Sequence, residues 1–224
     1  MSTDRDWDRR ADELAAASVA ESPTRWFVQL WGEAAEDRID TPWARTAAYP
    51  PVVEHVAAAG PGEGRRAVVV GAGLGADAEH LATQGWAMTA FDVAPAAVEL
   101  ARDWHPGTVV DYRVADLLDL PPDLVGAFDL VVDVFTVQAL PPRVRPEAVA
   151  GVRALLAPGG TLLAVQFVRE RGEDPGVDPP WLLDEDEVRS LAAGDVVLHS
   201  LDRRGHPLNP AGPDVWVAVL RRGT

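Results

Sequence analysis

The sequence predicts an α/β protein built on a doubly wound sheet of seven strands, mostly parallel, with an antiparallel terminal strand pair and helices ahead of the sheet. Three observations carry that expectation. From residue 67 onward, short runs rich in Val, Leu and Phe alternate with helical segments, and strands separated by helices imply a parallel sheet. The first run, Ala67-Val68-Val69-Val70, enters Gly71-Ala72-Gly73-Leu74-Gly75 and then a helix. Strand, glycine turn and helix N-terminus in that order form a ligand-binding device. The last two runs, 195–201 and 215–220, have no helix between them, so they should pair antiparallel at the sheet edge.

Taken in order, residues 4–20 read as a helix with a thin apolar stripe of Trp7, Leu14 and Val19, ending before Pro23. Ser22-Pro23 supplies an N-cap and a proline at the first helical position. The helix that follows carries Trp26, Phe27, Leu30 and Trp31, an aromatic face suited to docking on the core or lining a ligand site. Asp40-Thr41-Pro42-Trp43 breaks it, Pro50-Pro51 introduces a short helix through Val52, Val53 and Val56, and Gly60-Pro61-Gly62-Glu63-Gly64 is a loop. Residues 1–64 are thus expected to be a helical extension and cap, and 65–224 one sheet domain. Strands are expected at 67–70, 86–91, 107–114, 128–133 and 161–168, with helices from 76, over 95–102 and over 146–156. The apolar run 128–133 should be buried on both faces. Residues 169–178, charged and glycine-rich, should form a mobile loop over the strand ends, before a helix begun by Asp184 that carries Val188 and Leu191.

The totals exclude several chemistries. At 224 residues, 47% hydrophobic and 25% charged, the chain can bury one substantial core. No segment approaches the roughly 20 apolar residues of a membrane span, and an N-terminus carrying Asp4, Asp6, Asp8 and Glu13 is too acidic for a signal peptide. A soluble cytoplasmic protein is expected, monomeric or homodimeric. A net charge of −15 argues against nucleic acid as a partner. The absence of cysteine excludes disulfides, thiolate nucleophiles and Cys-ligated metals. All 20 basic residues are arginine, which excludes Schiff-base and Walker A lysines; coding bias accounts for that usage.

Gly71-x-Gly73-x-Gly75 with Ala76 satisfies the dinucleotide pattern, and Asp92, ending the second strand, lies near where that pattern places its ribose acid. A nicotinamide or flavin enzyme therefore stands beside other readings of the turn. The order Val68-Val69-Val70-Gly71-Ala72-Gly73-Leu74-Gly75, Asp92, Ala115-Asp116-Leu117, Phe128-Asp129-Leu130-Val131-Val132-Asp133 and Leu156-Ala157-Pro158-Gly159-Gly160-Thr161-Leu162 resembles the class I S-adenosylmethionine (SAM) dependent methyltransferases, with their Rossmann-like sheet. Two shorter pieces, Asp40-Thr41-Pro42-Trp43 and Asp178-Pro179-Pro180-Trp181, are similar to the thiopurine or thiol methyltransferase branch.

The resemblance implies SAM as cofactor and a small-molecule methyl acceptor as partner. Gly71, Ala72, Gly73 and Gly75 would let the backbone approach the cofactor, Asp92 and Val93 would meet its ribose, and Asp116 and Leu117 its adenine. Asp133 would border cofactor and substrate, and Trp31 and Trp43 would face the sulfonium region. Phe135, Gln138, Trp181 and Trp26 would contact the acceptor. The chain departs from the family at Val69, where an acid usually precedes the first glycine by two residues. No metal is implied and no general base stands out. His55, His80, His105, His199 and His206 read as solvated or packed, which favours an acceptor nucleophilic unaided, such as a thiol. A nicotinamide oxidoreductase and a non-catalytic SAM-fold binding protein are the alternatives.

Overall fold

The computed structural model describes residues 6–18, 20–176 and 179–224. Asp4, Val19 and Asp178, which figure in the readings above, lie outside the described residues. Three helices come first, α1 (Asp6–Ser18), α2 (Arg25–Ala35) and α3 (Pro50–Ala59). Strands β1 (Arg66–Val70), β2 (Ala87–Asp92), β3 (Asp111–Val114) and β4 (Phe128–Val134) alternate with α4 (Ala76–Thr83) and α5 (Pro95–Trp104). Then come α6 (Arg145–Ala154), β5 (Leu156–Phe167), α7 (Glu185–Arg189), β6 (Val196–Arg204) and β7 (Val215–Arg222).

These strands form one seven-stranded sheet in the order β3-β2-β1-β4-β5-β7-β6. All pairs from β3 to β5 are parallel, while β7 runs antiparallel to both β5 and β6. This is the predicted sheet, including its antiparallel terminal pair. Strand order reverses at β1 and β4, where Val70 pairs with Asp133 on one side and with Phe91 on the other. A crevice opens beyond the carboxyl ends of the strands at such a switch point.

Period-2 alternation divides the core between the two faces. Val68, Val70 and Val131 pack with Ala148 and Val152 of α6, whereas Ala67, Val69 and Val132 pack with Val52 and Val56 of α3 and Ala78 and Leu81 of α4. Trp7, Ala11, Leu14, Trp26 and Leu30 join α1 to α2 in a separate cluster. Arg10 tightens that junction with a two-pronged pair to Glu33, at 2.7 and 2.6 Å.

Several boundaries differ from expectation for local reasons. The second helix is capped at Thr24, with Ser22-Pro23 in the turn before it. The third strand starts only at Asp111, because Thr108 Oγ accepts the Val110 N–H at 3.0 Å and donates to Glu79 at 2.6 Å. Such local bonds take the donors a ladder would need. The 146–156 helix stops at Ala154, and Leu156 already pairs with Phe128; the register then shifts before Leu130 meets Thr161, with Gly159-Gly160 in the irregular stretch. Asp184 begins α7 through a complete capping box with Glu187. Arg169, in the expected mobile loop, is tied to Leu182 O, Asp184 and Glu187.

Two helical glycines give opposite expectations for stability. A Cβ on Gly151 of α6 would stand 2.4 Å from the Leu117 carbonyl oxygen, whereas one on Gly32 of α2 would meet nothing within 4 Å. Gly32→Ala should therefore stabilise the chain by up to about 1 kcal/mol. Gly151→Ala should destabilise it by about 1–3 kcal/mol despite the same propensity gain. Denaturant titration measures both, and equal signs would refute the packing of α6 on Leu117.

Candidate functional site

The site grows from the turn between β1 and α4. Gly71, Gly73 and Gly75 all have positive φ, at 58, 50 and 82°, a region that glycine alone enters freely. Space is closed there as well. A Cβ on Gly71 would stand 2.6 Å from Thr136 Oγ1, and one on Gly75 would stand 2.0 Å from the Tyr112 hydroxyl. Two of the predicted glycines thus make room for protein side chains. At Gly73 the nearest atom is Trp31 Cζ2, at an ordinary 3.4 Å. Its open side is the one suited to a ligand.

Asp92 fastens this turn to the end of β2. Its carboxylate accepts the Gly73 N–H at 3.0 Å through one oxygen and the Ala94 N–H at 3.0 Å through the other. Burial pushes the carboxyl above its ordinary value, against the pull of the backbone donors. Asp116 accepts the Leu118 N–H at 2.9 Å with one oxygen, and the second oxygen stays available to a ligand. Thr136 donates to Val70 O at 2.8 Å and joins the end of β1 to the segment after β4.

A cavity of about 700 Å³ opens on these groups, within the range of small-molecule sites. Of the predicted residues it brings together Gly71, Ala72, Gly73, Gly75, Asp92, Val93, Asp116, Leu117, Trp31, Trp43, Trp26, Phe135 and Gln138. Asp133 and Trp181 stand outside its wall. Asp133 is fully buried beneath it, accepting from Thr136 N–H, Val137 N–H and Gln166 Nε2 at 3.1, 3.3 and 2.7 Å. Trp181 packs away from the cavity, donating its N–H to Gln138 O at 2.9 Å, while Pro179 and Pro180 reach the wall.

The two ends of the cavity differ. Over Gly73 sits a cluster of indoles: Trp43 lies 6.1 Å from Trp31, 6.2 Å from Trp26 and 4.9 Å from Trp7, so α1 also contributes to the wall. Beyond Gly71 the wall is Phe135, Phe167, Tyr49 and His206. Phe135 stacks on Phe167 at 4.3 Å, Phe167 on His206 at 5.4 Å, and Tyr49 meets Phe135 edge-on at 5.1 Å. Phe135 holds φ at +63°, a strained conformation for a side-chain-bearing residue that clusters at functional sites. Sequence reasoning missed Tyr49, Phe167 and His206. The only sequence signal for Phe167 was its place at the end of the fifth strand.

Tyr49 is carried by the segment ahead of α3, which Asp77 holds in place. That carboxylate, in the first turn of α4, accepts the Tyr49 N–H at 2.6 Å and pairs with Arg45 at 2.6 Å. Burial pushes the Tyr49 phenol up to about 12. Gln138 Oε1 accepts the Phe167 N–H at 2.5 Å, and Gln166 Oε1 accepts the Gln138 N–H at 3.3 Å. Asp133, Gln166 and Gln138 thus form a buried chain under the two stacked phenylalanines.

The order of strands, the glycine turn after β1 and the acids ending β2 and following β3 define the Rossmann-like fold of class I methyltransferases. Residues 67–160 match the family model described as a methyltransferase domain. The chain is 37% identical over 113 residues to the ubiquinone biosynthesis O-methyltransferase of Xanthomonas axonopodis pv. citri, covering 49% of this chain and 46% of that protein. The chain therefore aligns with a little under half the length of such curated relatives. In fold it is similar to the 1,6-didemethyltoxoflavin-N1-methyltransferase of Burkholderia thailandensis, solved with S-adenosylhomocysteine, with a TM-score of 0.65, 23% identity and 91% of both chains covered. It is also similar to the N-methyltransferase NodS of Bradyrhizobium japonicum, with a TM-score of 0.65, 19% identity, and 88% of this chain and 98% of that one covered.

Asp133 makes stability depend on pH in a stated direction. Burial pushes its carboxyl from 3.8 up to about 7. Below the unfolded value both states are neutral there. Between the two values the folded chain keeps a proton that the unfolded chain has lost, so this contribution falls as pH rises and is gone above about 7. Asp133→Asn removes that slope. Relative to the native chain, the variant's unfolding free energy should rise by roughly 2 kcal/mol between pH 5 and pH 8, measured by urea titration at each pH. Parallel pH profiles would rule out this titration.

Proposed function

We propose that this protein transfers the methyl group of SAM to a small-molecule acceptor, and that the acceptor is a soft nucleophile such as a thiol. One observation carries the reading. A single cavity runs from the Asp92, Asp116 and Gly73 groups to the aromatic wall of Phe135 and Phe167, so donor and acceptor have adjoining places. SAM supplies an electrophilic methyl on a sulfonium. Asp92 and the turn at Gly71, Ala72, Gly73 and Gly75 would hold its ribose and amino-acid end, with Val93 alongside. The free oxygen of Asp116 and the backbone of Leu117 would hold the base. Trp31 and Trp43 supply indole faces near Gly73, where cation–π attraction favours a sulfonium by about 0.5–2 kcal/mol. Residues 1–64 act as a cap on the 65–224 domain in this reading, since α1, α2 and the Trp43–Tyr49 segment supply much of the wall.

The thiol preference rests on the polar groups at the aromatic end. The Tyr49 phenol is pushed up to about 12 by burial, so it stays protonated at neutral pH. His206 Nδ1 is already occupied by backbone N–H groups. Asp133 is sealed below the wall. With no group there placed to take a proton, an acceptor with a pKa near 8.5, already partly ionised, fits best. The Pro179-Pro180 segment, part of the piece that resembles the thiol branch in sequence, reaches the wall. The protein's role is then to align nucleophile and methyl and to exclude water.

Calorimetry with S-adenosylhomocysteine tests the cofactor half. The native chain should bind, and Asp92→Ala and Asp116→Ala should each weaken binding by tenfold or more, the loss expected for hydrogen bonds to charged groups. Asp116→Ala leaves the Asp92–Gly73 bond intact, so a folding defect in the first variant does not obscure the result. Turnover of thiophenol and 2-mercaptoethanol should exceed that of phenol and aniline. A preference for the phenol would shift the acceptor class to that of the O-methyltransferase relatives.

A further inference from the structure

We propose that His206 is a positioning residue, the anchor that holds the rim of the acceptor end in place. The inference rests on the methyl-transfer reading for what the rim does, and on the geometry alone for how it is held. Between β6 and β7 the chain runs through Gly205-His206-Pro207-Leu208-Asn209-Pro210-Ala211-Gly212-Pro213, and His206, Leu208 and Asn209 line the cavity. Three prolines and no ladder bonds leave this segment few ties of its own, the Gly212 N–H to Asn209 O at 2.8 Å and the Ala211 N–H to Asn209 Oδ1 at 3.2 Å, both on the far side of Asn209. His206 Nδ1 holds the near side by accepting the N–H of Leu208 at 3.1 Å and of Asn209 at 2.9 Å. Its ring is in turn stacked on Phe167 at 5.4 Å and met edge-on by Tyr49 at 6.3 Å.

The bonds fix the chemistry of the ring. A nitrogen that accepts two N–H groups carries no proton, so in the neutral imidazole the proton sits on Nε2. A second proton has only Nδ1 to go to, and there it displaces both backbone donors. His206 is therefore unsuited to act as a base toward an acceptor while it holds the rim. Of the groups packed on it, Phe167 and Gly212 are uncharged, and Tyr49 is a buried phenol whose neighbour Arg45 is paired with Asp77. Asn is the informative substitute, since its Oδ1 occupies the place of Nδ1 and bonds the backbone two residues on.

Hydrogen exchange at the Leu208 and Asn209 amides is to be compared in the native chain, His206→Asn and His206→Ala. His206→Ala should lose about tenfold in protection at both amides, the equivalent of about 1.4 kcal/mol. His206→Asn should keep the native protection. With thiophenol as acceptor, His206→Ala should raise KM about fivefold with kcat within twofold and S-adenosylhomocysteine affinity unchanged, and His206→Asn should restore KM. Identical exchange in all three chains, or an unchanged KM in His206→Ala, overturns the proposal. If the exchange pattern holds while the native chain methylates neither thiol, the anchor stands and the thiol reading fails.

Discussion

The structure depends on a turn that has no room for side chains. Between β1 and α4 the chain reverses through three left-handed glycines, and Thr136 and Tyr112 fill the spaces where two Cβ atoms would go. Asp92 then pins the middle of the turn from the end of the neighbouring strand. This closeness brings the ends of β1, β2 and β4 together at the switch point, and it sets α4 so that Asp77 in its first turn reaches the Arg45–Tyr49 segment. One backbone conformation therefore fixes the Gly73 end of the cavity and, through Asp77, part of its aromatic wall.

The two ends of the cavity are built by different means. Around Gly73 the groups come from consecutive strand ends, and their side chains retain lone pairs or N–H groups for a ligand. Around Phe135 and Phe167 most polar atoms are already committed to the protein, the unpartnered Tyr49 hydroxyl excepted. Gln138 holds the Phe167 amide, Gln166 holds Gln138, Asp133 holds the turn after β4, and His206 holds its own loop. Buried networks of this kind fix geometry when every member is satisfied. What they leave facing the cavity is largely aromatic surface.

This division explains what the sequence made legible. The sheet order, the glycine turn, Asp92 and Asp116 were readable because strand–turn–helix units carry their ligand groups within a few residues of one another. Tyr49, Phe167 and His206 were not, since they reach the wall from three segments more than a hundred residues apart in places, and nothing local marks them. The short motif ending in Trp181 shows the converse. Its aromatic residue suggested a substrate contact, but the Trp181 N–H bonds Gln138 O and its ring is buried in the fold, so the prolines before it meet the cavity instead. The expected cap at Ser22-Pro23 moved to Thr24 without a side-chain bond, where docking of the Trp26 and Leu30 face on α1 outweighs a local cap.

The departure at Val69 also acquires a physical account. Alternation along β1 turns this residue toward α3 and α4, between Ala90 and Val132 and among Val52, Val56 and Leu81. Its register neighbours Ala90 and Val132 have no polar side chain with which to pair a carboxylate, and an unpaired buried charge costs several kcal/mol. The N-terminal segment is tied to the sheet domain by an acid elsewhere. Asp77 serves from the start of α4, 4% exposed, with one oxygen on the Tyr49 N–H and the other on Arg45. There the carboxylate sits in the first helical turn, where the helix dipole favours negative charge, and it has partners for both oxygens. An apolar residue at 69 and an acid at 77 are thus consistent with each other: the strand buries its side chain in the core, and the helix carries the charge that ties the N-terminal segment to the glycine turn.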